Sequence, residues 1–505
     1  MYLDNSIYLG LSEGERVTMA LGMANRHGLI AGASGTGKTV TMKVLAESFS
    51  DAGVPVFLCD IKGDVSGLAE PGKQSEGMEK RIDKFGLREV FSYRAYPVAF
   101  WDVYQEAGHP VRASVSDMGP ELLSRILELT PAQEGVLNIV FRVADDHGLL
   151  LTDMKDLRAM LDYVSEHRAE LLTKYGNVTV QSLGGITRAL LPLENQGGDL
   201  FFGEPGLDIF DLIRTDSSGK GMINLLDCVR LSRSPKLYAT FLLWMMSELF
   251  ERLPEAGDLD KPKLVFFFDE AHMLFSDAPK VLVQKIEQMV KLIRSKGVGI
   301  YFVTQSPGDI PDSVLAQLSG RVQHALRAYT PAEQKAVRTA AGTMRANPAF
   351  KTEDVIMELG VGEALVSLLD ENGVPGITRR TSIICPQSLM APCTDATRRD
   401  AMAADGMAKY DAAVDPESAY ELLEKQKEAD AQKAELEAER AALEKEKAEF
   451  EAKKQKEEAA AQKQREKEQA AKERDAERRK QQIERQVINI GTQVLRRGLF
   501  NTLFK

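Results

Sequence analysis

The chain has 505 residues, of which 44% are apolar, with four cysteines and a formal net charge of −11. This length predicts two or three domains, and the apolar share suffices for a large buried core. The cysteines are too few and too scattered for a disulfide framework or a zinc site, which favours a reducing compartment. Because the sequence shows neither a secretory leader nor a run of roughly 18 apolar residues, we expect a cytoplasmic protein with no membrane-spanning segment.

The negative charge lies mainly in the larger, N-terminal part of the chain. Residues 1–420 carry 43 basic and 56 acidic side chains, a net charge of −13, whereas 486–505 carry three basic and no acidic ones. An acidic body is not typical of a monomeric nucleic-acid-binding protein, whose surface is basic. It does not exclude a ring that carries basic side chains only along its pore.

The segment GASGTGKT fits the pattern of a phosphate-binding loop, with a short apolar strand before it and a helix after it. Backbone N–H groups in such a loop point inward, and the following helix N-terminus favours an anion. Lys38 is expected to reach the β- and γ-phosphates of ATP, and the Thr39 hydroxyl to ligate Mg²⁺. The predicted nucleotide-binding residues are Gly32, Ala33, Ser34, Gly35, Thr36, Gly37, Lys38, Thr39 and Val40.

A second apolar segment, LVFFF at 264–268, predicts a buried strand that ends in Asp269 and Glu270. The carboxyl ends of parallel strands face the ligand crevice of a sheet. Asp269 is therefore predicted to hold Mg²⁺, and Glu270 to orient or deprotonate the attacking water. A glutamate in this place predicts an ATPase, with water as the phosphate acceptor.

Two further apolar strands end in polar residues. Gln305 ends the predicted strand 299–305 and is expected to sense the γ-phosphate or the water, although a simple turn position stays open. Asp60 ends VFLCD and would either act in the site or order the loop that contains Lys62 and Asp64; a surface turn is the alternative.

Arginines are expected if a neighbouring subunit completes the site. Arg321 and Arg327, in the predicted strand 321–329, are the first candidates for such a catalytic role. Arg26 and Arg294 are weaker candidates, and each of these side chains could equally be a surface or ion-pair arginine.

Alternating strand and helix patterns predict an α/β fold with a mostly parallel sheet. The pattern divides the chain into five segments. They are 1–110, the first part of an ATPase core; 111–200, a helical insertion; 201–400, the second part of the core with a hairpin after Gly362; 416–485, a long charged helix; and 486–505, an amphipathic segment.

The two C-terminal segments leave several interpretations open. In 416–485 the residues Leu422, Ala429, Leu436, Leu443 and Phe450 recur every seven positions, which fits a weak coiled coil as well as a solvated single helix. The stripe Ile483, Val487, Ile490 and Val494 could dock onto the protein's own subunits, a membrane surface or a partner protein.

In this order, the motifs resemble the HerA/FtsK superfamily of RecA-like motor ATPases. The similar pieces cover about 30–70 and 220–385, and the layout with its insertion and charged tail resembles bacterial HerA-like proteins of the YjgR type. The resemblance implies a RecA-like P-loop fold, a hexameric ring with ATP and Mg²⁺ between subunits, and duplex DNA in the pore. Five residues carry over by motif: Lys38, Thr39, Asp269, Glu270 and Gln305.

Two functions follow as hypotheses. One is an ATP-driven translocase or helicase on duplex DNA, and the other is an ATPase ring that remodels or scaffolds a protein partner through its C-terminal helix. The letters DEAH at 269–272 do not indicate a superfamily 2 helicase, because they follow Lys38 by 231 residues and no second motor domain comes after them. An SMC-type ATPase would need an LSGGQ-like signature before the acidic strand.

Overall fold

The computed structural model describes residues 1–257, 259–275 and 280–499, apart from the side chains of Val281 and 492–499. Two compact units make up the chain, Met1–Leu423 and Glu424–Lys505. Within the described residues, every helix is too short or too polar to cross a lipid bilayer.

Thirteen strands in the described part of the first unit form one sheet. They are β1 (Tyr2–Leu3), β2 (Ser6–Ser12), β3 (Glu15–Ala20), β4 (Gly28–Ala31), β5 (Val56–Asp60), β6 (Val98–Asp102), β7 (His109–Pro110), β8 (Ile223–Asp227), β9 (Leu264–Phe268), β10 (Val298–Thr304), β11 (Gly320–His324), β12 (Glu363–Ser367) and β13 (Arg379–Ile383).

The sheet order is β1-β2-β13-β12-β11-β4-β10-β9-β5-β8-β6-β7, with β3 paired to β2. All pairings from β11 to β7 are parallel, whereas β12, β13 and the N-terminal strands pair antiparallel. The predicted α/β fold with a mostly parallel sheet is thereby confirmed. Parallel strands aligned in this way carry their carboxyl ends to one edge, where α/β proteins bind ligands.

Fifteen α-helices lie in the described residues. They are α1 (Lys38–Asp51), α2 (Glu76–Lys84), α3 (Val115–Ile126), α4 (Pro131–His147), α5 (Met154–Glu166), α6 (Arg168–Tyr175), α7 (Val180–Asn195), α8 (Gly198–Phe201), α9 (Pro235–Arg252), α10 (Lys280–Leu292), α11 (Asp312–Leu315), α12 (Pro331–Gly342), α13 (Thr352–Glu358), α14 (Asp395–Ala404) and α15 (Ala419–Leu499). Helices α3 to α7 occupy the segment predicted as a helical insertion.

Local capping chemistry marks the starts of α4 and α12. Thr130 accepts a hydrogen bond from the backbone N–H of Gln133, whose side chain accepts one from the N–H of Thr130, at the start of α4. Thr330 and Glu333 form the same reciprocal pair before α12. Each pair satisfies backbone donors that the first helical turn leaves without intrahelical partners.

Alternate side chains of the central strands build two buried cores, one on each face of the sheet. In β9, Phe266 and Phe268 belong to the core shared with α3 to α9, whereas Val265 and Phe267 belong to the core shared with α1. A strand that is apolar on both faces is typical of a parallel sheet covered by helices on both sides.

Two parts of the sequence interpretation were wrong. The predicted strand 321–329 ends at His324, because Ala325 turns away to accept a hydrogen bond from the N–H of Ala33 in the phosphate-binding loop. The sequence patterns also missed β1 to β3 and β6. β1 and β3 pair with the adjacent β2, whereas β2 and β6 also pair with strands distant in sequence, as where Ile383 of β13 pairs with Gly10 of β2.

The described part of the second unit is α15 from Glu424 to Leu499. Leu436, Leu443 and Phe450 of the predicted heptad stripe are 50%, 53% and 69% exposed, so pairing of this stripe stays a prediction. Ile483 and Val487 are likewise exposed, while the side chains of Val494, Arg496 and Arg497, and all of 500–505, lie outside the described residues.

Candidate active site

The phosphate-binding loop connects the carboxyl end of β4 to the first residue of α1 and is tied to both neighbouring strands. Gly32 N–H donates to the carbonyl of Thr304 in β10 (3.2 Å), and Ala33 N–H to the carbonyl of Ala325 after β11 (2.9 Å). Ser34 and Gly35 form an exposed tip. Lys38, Thr39 and Val40 follow as the first turn of α1. The nine predicted nucleotide-binding residues therefore form one continuous segment, a loop followed by the start of a helix.

Glycine is required at two positions of this loop. Gly32 has a φ of 153°, and a Cβ placed on it would lie 2.5 Å from the Cβ of His324. Gly37 has a φ of 120°, which L side chains rarely adopt. A side chain at Gly32 would therefore clash with β11, and one at Gly37 would strain the backbone.

The Lys38 amine lies inside the loop. Its Nζ donates to the carbonyl oxygens of Gly32 (2.6 Å) and Ala33 (3.2 Å), and the residue is buried. Burial lowers the pKa of Lys38, the nearby Lys62 ammonium lowers it further, and Glu270 and Asp269 oppose that change. The positive charge therefore lies at the N-terminus of α1, and helix N-termini favour the binding of phosphate.

Asp269 and Glu270 are both buried at the end of β9. Burial raises the pKa of Asp269 to about 7, and the adjacent Glu270 carboxylate adds to the rise. Burial would also raise the pKa of Glu270, but the Lys62 ammonium outweighs it and holds this pKa below its ordinary value. The pKa values of the two neighbouring carboxyl groups are therefore shifted in opposite directions, a pattern typical of catalytic carboxylate pairs.

Glu270 is the centre of a polar cluster drawn from three strand ends. Its Oε1 forms an ion pair with Lys62 Nζ, and its Oε2 accepts a long hydrogen bond of 3.4 Å from Gln305 Nε2. His272 Nδ1 lies 3.2 Å from the same Oε2 but without hydrogen-bond geometry. Gln305 thus reaches the carboxylate expected to activate water, as the position after β10 suggested.

Asp60 orders the loop that carries Lys62. Its two carboxylate oxygens accept hydrogen bonds from the backbone N–H groups of Gly63 (2.7 Å) and Val65 (3.1 Å). Burial, reinforced by the nearby Asp64, raises the pKa of Asp60 to about 6. Of the roles considered for Asp60, the structure shows the ordering of this loop.

Neither predicted arginine reaches this cluster within the chain. Arg321 lies in the amino-terminal half of β11, opposite Leu29 of β4, and its Nη2 donates to the carbonyl of Leu315 (2.8 Å). Burial lowers its pKa to about 10. Arg327 is exposed and donates to the carbonyl of Met357 (3.1 Å). A role for either one in a neighbouring subunit's site stays a prediction.

His324 is a site residue that the sequence analysis missed. Its Nε2 lies 2.9 Å from Thr41 Oγ1 in α1, and its Nδ1 lies 2.9 Å from the carbonyl oxygen of Glu363. Because that carbonyl can only accept, Nδ1 carries the proton and Nε2 accepts from the threonine. No local signal in the sequence indicated this residue, because His324 fell inside the predicted strand 321–329.

Solved structures with a similar fold include plasmid and conjugative coupling proteins. The plasmid coupling protein TrwB with a non-hydrolysable GTP analogue has a TM-score of 0.51 at 14% identity, over 75% of this chain and 90% of that one. The unbound bacterial conjugative coupling protein TrwBdeltaN70 has a TM-score of 0.50 at 14% identity, over 76% of this chain and 91% of that one. VirB4 of Thermoanaerobacter pseudethanolicus has a TM-score of 0.47 at 17% identity, over 76% of this chain and 97% of that one.

At these identities the likeness establishes the fold alone, and comparison with curated proteins yields no match. The family described as "Helicase HerA-like C-terminal" matches residues 8–505, which is nearly the entire chain. A match of that extent means that this chain belongs to the helicase HerA-like C-terminal family, as a P-loop ATPase of the HerA/FtsK type.

Proposed function

We propose that this protein is an ATP-hydrolysing ring motor that translocates along duplex DNA. The observation that carries the proposal is the convergence of Lys38, Asp269 and Glu270 at one sheet edge, where Glu270 and Asp269 oppose the lowering of the Lys38 pKa. Membership of a family described as helicase HerA-like supports the DNA substrate. The name of TrwB as a plasmid coupling protein points in the same direction.

The residues present fit a Mg²⁺ ion bound together with ATP. Asp269 is a buried carboxylate whose pKa burial raises to about 7, so a divalent cation beside it would favour its charged form. Mg²⁺ in nucleotide sites needs few protein ligands beyond the phosphates, and Thr39 in the first turn of α1 would supply a second oxygen. The ion would neutralise charge on the β- and γ-phosphates.

The remaining side chains have distinct tasks in the proposed hydrolysis. Lys38 would exchange its carbonyl partners for the β- and γ-phosphates. Glu270 would orient the attacking water and accept its proton as the water oxygen bonds to the γ-phosphorus and ADP leaves. Gln305, which already contacts Glu270, would report the state of that carboxylate to the segment after β10.

Completion of the site would require a second subunit. Arg321 and Arg327 lie away from the Glu270 cluster within one chain and are our candidates for an arginine supplied by a neighbour in a hexamer. An arginine so placed would stabilise charge that develops on the γ-phosphate in the transition state.

A second function remains because of the charge distribution. Residues 1–420 have a net charge of −13, which opposes non-specific attraction to DNA. An ATPase ring that remodels or scaffolds a protein through α15 would have no need of a basic pore.

ATP hydrolysis by the purified protein, with and without long duplex DNA, tests the proposal. We expect duplex DNA to raise the rate several-fold and added salt to remove the effect, because phosphate contacts release counterions. Lys38→Ala and Glu270→Gln should each strongly reduce both basal and stimulated turnover. Turnover that depends on Lys38 but ignores DNA would overturn the translocase proposal and favour a protein cargo.

A further inference from the structure

The contact between Lys62 and Glu270 engages the carboxylate that the proposed mechanism needs free. Lys62 Nζ forms an ion pair with Oε1 of Glu270, and Gln305 contacts Oε2. Both carboxylate oxygens of Glu270 are thus engaged by other donors, which compete with a water molecule for the same lone pairs. As it stands in this structure, Glu270 is therefore poorly prepared to accept a proton from water.

The backbone around Lys62 is fixed by hydrogen bonds within its loop, but the side chain is partly exposed to solvent. Asp60 fixes the backbone on the C-terminal side of Lys62 through Gly63 and Val65. The side chain itself is 44% exposed, whereas that of Glu270 is 7% exposed. A flexible stem that ends in a half-exposed amine can change partners without disturbing the core.

The Lys62 ammonium group also lies close enough to Lys38 and Asp269 to interact with both charges. Its charge lowers the pKa of Lys38. Burial lowers the pKa of Lys62 itself, but the hydrogen bond to Glu270 and the charges of Asp269 and Asp64 outweigh burial and raise it. Two lysines from different strands therefore lie near the carboxylates after β9, Lys38 after β4 and Lys62 after β5. Only the first belongs to the loop motif.

The backbone of Glu270 is unusual. Its φ of 45° and ψ of 48° lie in the left-handed region, which is strained for a residue with a side chain. Such strained positions persist where the surroundings hold them, and they cluster at functional sites. The ion pair with Lys62 and the hydrogen bond from Gln305 hold this carboxylate in place.

We propose that Lys62 exchanges partners, from the Glu270 carboxylate to the γ-phosphate of a bound nucleoside triphosphate, and thereby frees Glu270 for hydrolysis only when ATP is present. This inference rests on the proposed ATPase function and adds to it a binding residue outside the phosphate-loop motif. A terminal phosphate carries more negative charge than a carboxylate, so it competes effectively for the ammonium group. A nucleoside diphosphate lacks the γ-phosphate and leaves the ion pair intact.

Equilibrium binding of ADP and of a non-hydrolysable ATP analogue to the full chain tests this exchange. Loss of one charge-assisted contact weakens binding about tenfold. We expect Lys62→Met to weaken the triphosphate by about this factor and to leave ADP unchanged, and Lys62→Arg to restore most of the loss. Unchanged ADP affinity also shows that the variant is folded. Equal triphosphate affinities of wild type and Lys62→Met would overturn the inference.

A double-mutant cycle separates exchange from simple repulsion between Glu270 and the phosphate. Glu270→Gln should tighten triphosphate binding in the wild type, because the neutral amide no longer holds Lys62. In the Lys62→Met background the same change should have no effect, since no ammonium remains to be released. Equal tightening in both backgrounds would mean that only carboxylate–phosphate repulsion is relieved, and would overturn the exchange.

The matched control is Lys73→Met, an exposed lysine that follows the same strand and is expected to bind both nucleotides as the wild type does. Failure of the proposed function has a different signature from failure of this inference. If the wild type binds neither nucleotide, or binds both independently of Lys38, the ATPase proposal fails. If binding requires Lys38 but ignores Lys62, only the exchange is wrong.

Discussion

Lys62 and Glu270 form an ion pair across the carboxyl ends of two adjacent parallel strands, β5 and β9. The register aligns Cys59 with Phe268, so the residues that follow each strand emerge at the same edge. Sequence separation of more than two hundred positions is thereby reduced to one contact. The same edge also holds the phosphate-binding loop after β4 and Gln305 after β10, which defines where nucleotide chemistry would occur.

Nucleotide binding should depend on Lys38. In Lys38→Ala the phosphate-binding loop loses its lysine charge. We therefore expect the affinity for ATP to fall roughly ten- to a hundredfold, as for the loss of a charge-assisted contact. Titration calorimetry with ATP and Mg²⁺ measures this. Lys80→Ala serves as the control, since this lysine is 74% exposed and pairs with Glu76 in α2. Equal affinities for the two variants would contradict the assigned site.

Turnover should depend on Glu270 more strongly than binding does. Glu270→Gln keeps the shape of the side chain but cannot accept a proton, and general-base catalysis contributes about 10²- to 10⁴-fold to rate. We expect a loss of turnover in that range with nucleotide binding retained, measured by phosphate release at saturating ATP. Near-normal turnover would show that another group activates the water.

Stability should fall in mild acid because His324 is buried in its neutral form. Burial lowers its pKa to about 4, from 6.5 in an exposed histidine. Above pH 6.5 both folded and unfolded states hold it neutral, so its contribution is complete there. Between pH 6.5 and 4 the unfolded state gains the proton first, and stability declines by up to about 3 kcal/mol.

Urea unfolding of the wild type and His324→Gln across this pH range isolates that contribution. His27, whose pKa burial also lowers to about 4, stays in both proteins and cancels in the comparison. The difference in unfolding free energy between the two proteins should shrink as the pH falls from 6.5 to 4. A difference that is constant with pH would disprove the assignment.

Glu47 should be among the most sensitive positions for stability. Its buried carboxylate in α1 accepts hydrogen bonds from the N–H of Gln387 (2.8 Å) and from the N–H and Oγ of Ser388 (3.0 and 2.6 Å). Glu47→Ala would leave buried donors unpaired, and we expect a loss of about 3 kcal/mol. Glu76→Ala, at an 83% exposed side chain, should cost less than about 0.5 kcal/mol. Thermal unfolding of both variants measures the contrast.

Local patterns predicted much of the site. The phosphate-binding loop, the carboxylates after β9 and the glutamine after β10 each depend on residues that lie next to one another in the chain. The starts of α4 and α12 were equally readable, because Thr130 and Thr330 bond to residues three positions ahead. Such features are fixed by backbone geometry within one or two turns of chain.

Contacts between distant segments could not be predicted from local patterns in this way. Thr41 and His324 are 283 positions apart, and nothing adjacent to either indicates the other. The predicted strand 321–329 was too long for the same reason, since an apolar run does not show where Ala325 will bond to the phosphate-binding loop instead of continuing the ladder.

The sequence by itself determined that this is a P-loop protein with an acidic strand end, since those motifs are short and their spacing is local. The tertiary structure decided that Lys62, after β5, would share Glu270 with Gln305, after β10. That outcome depends on the order β5-β9-β10-β4 within the sheet. Strand order results from the packing of apolar faces over the entire domain, which no local window of residues records.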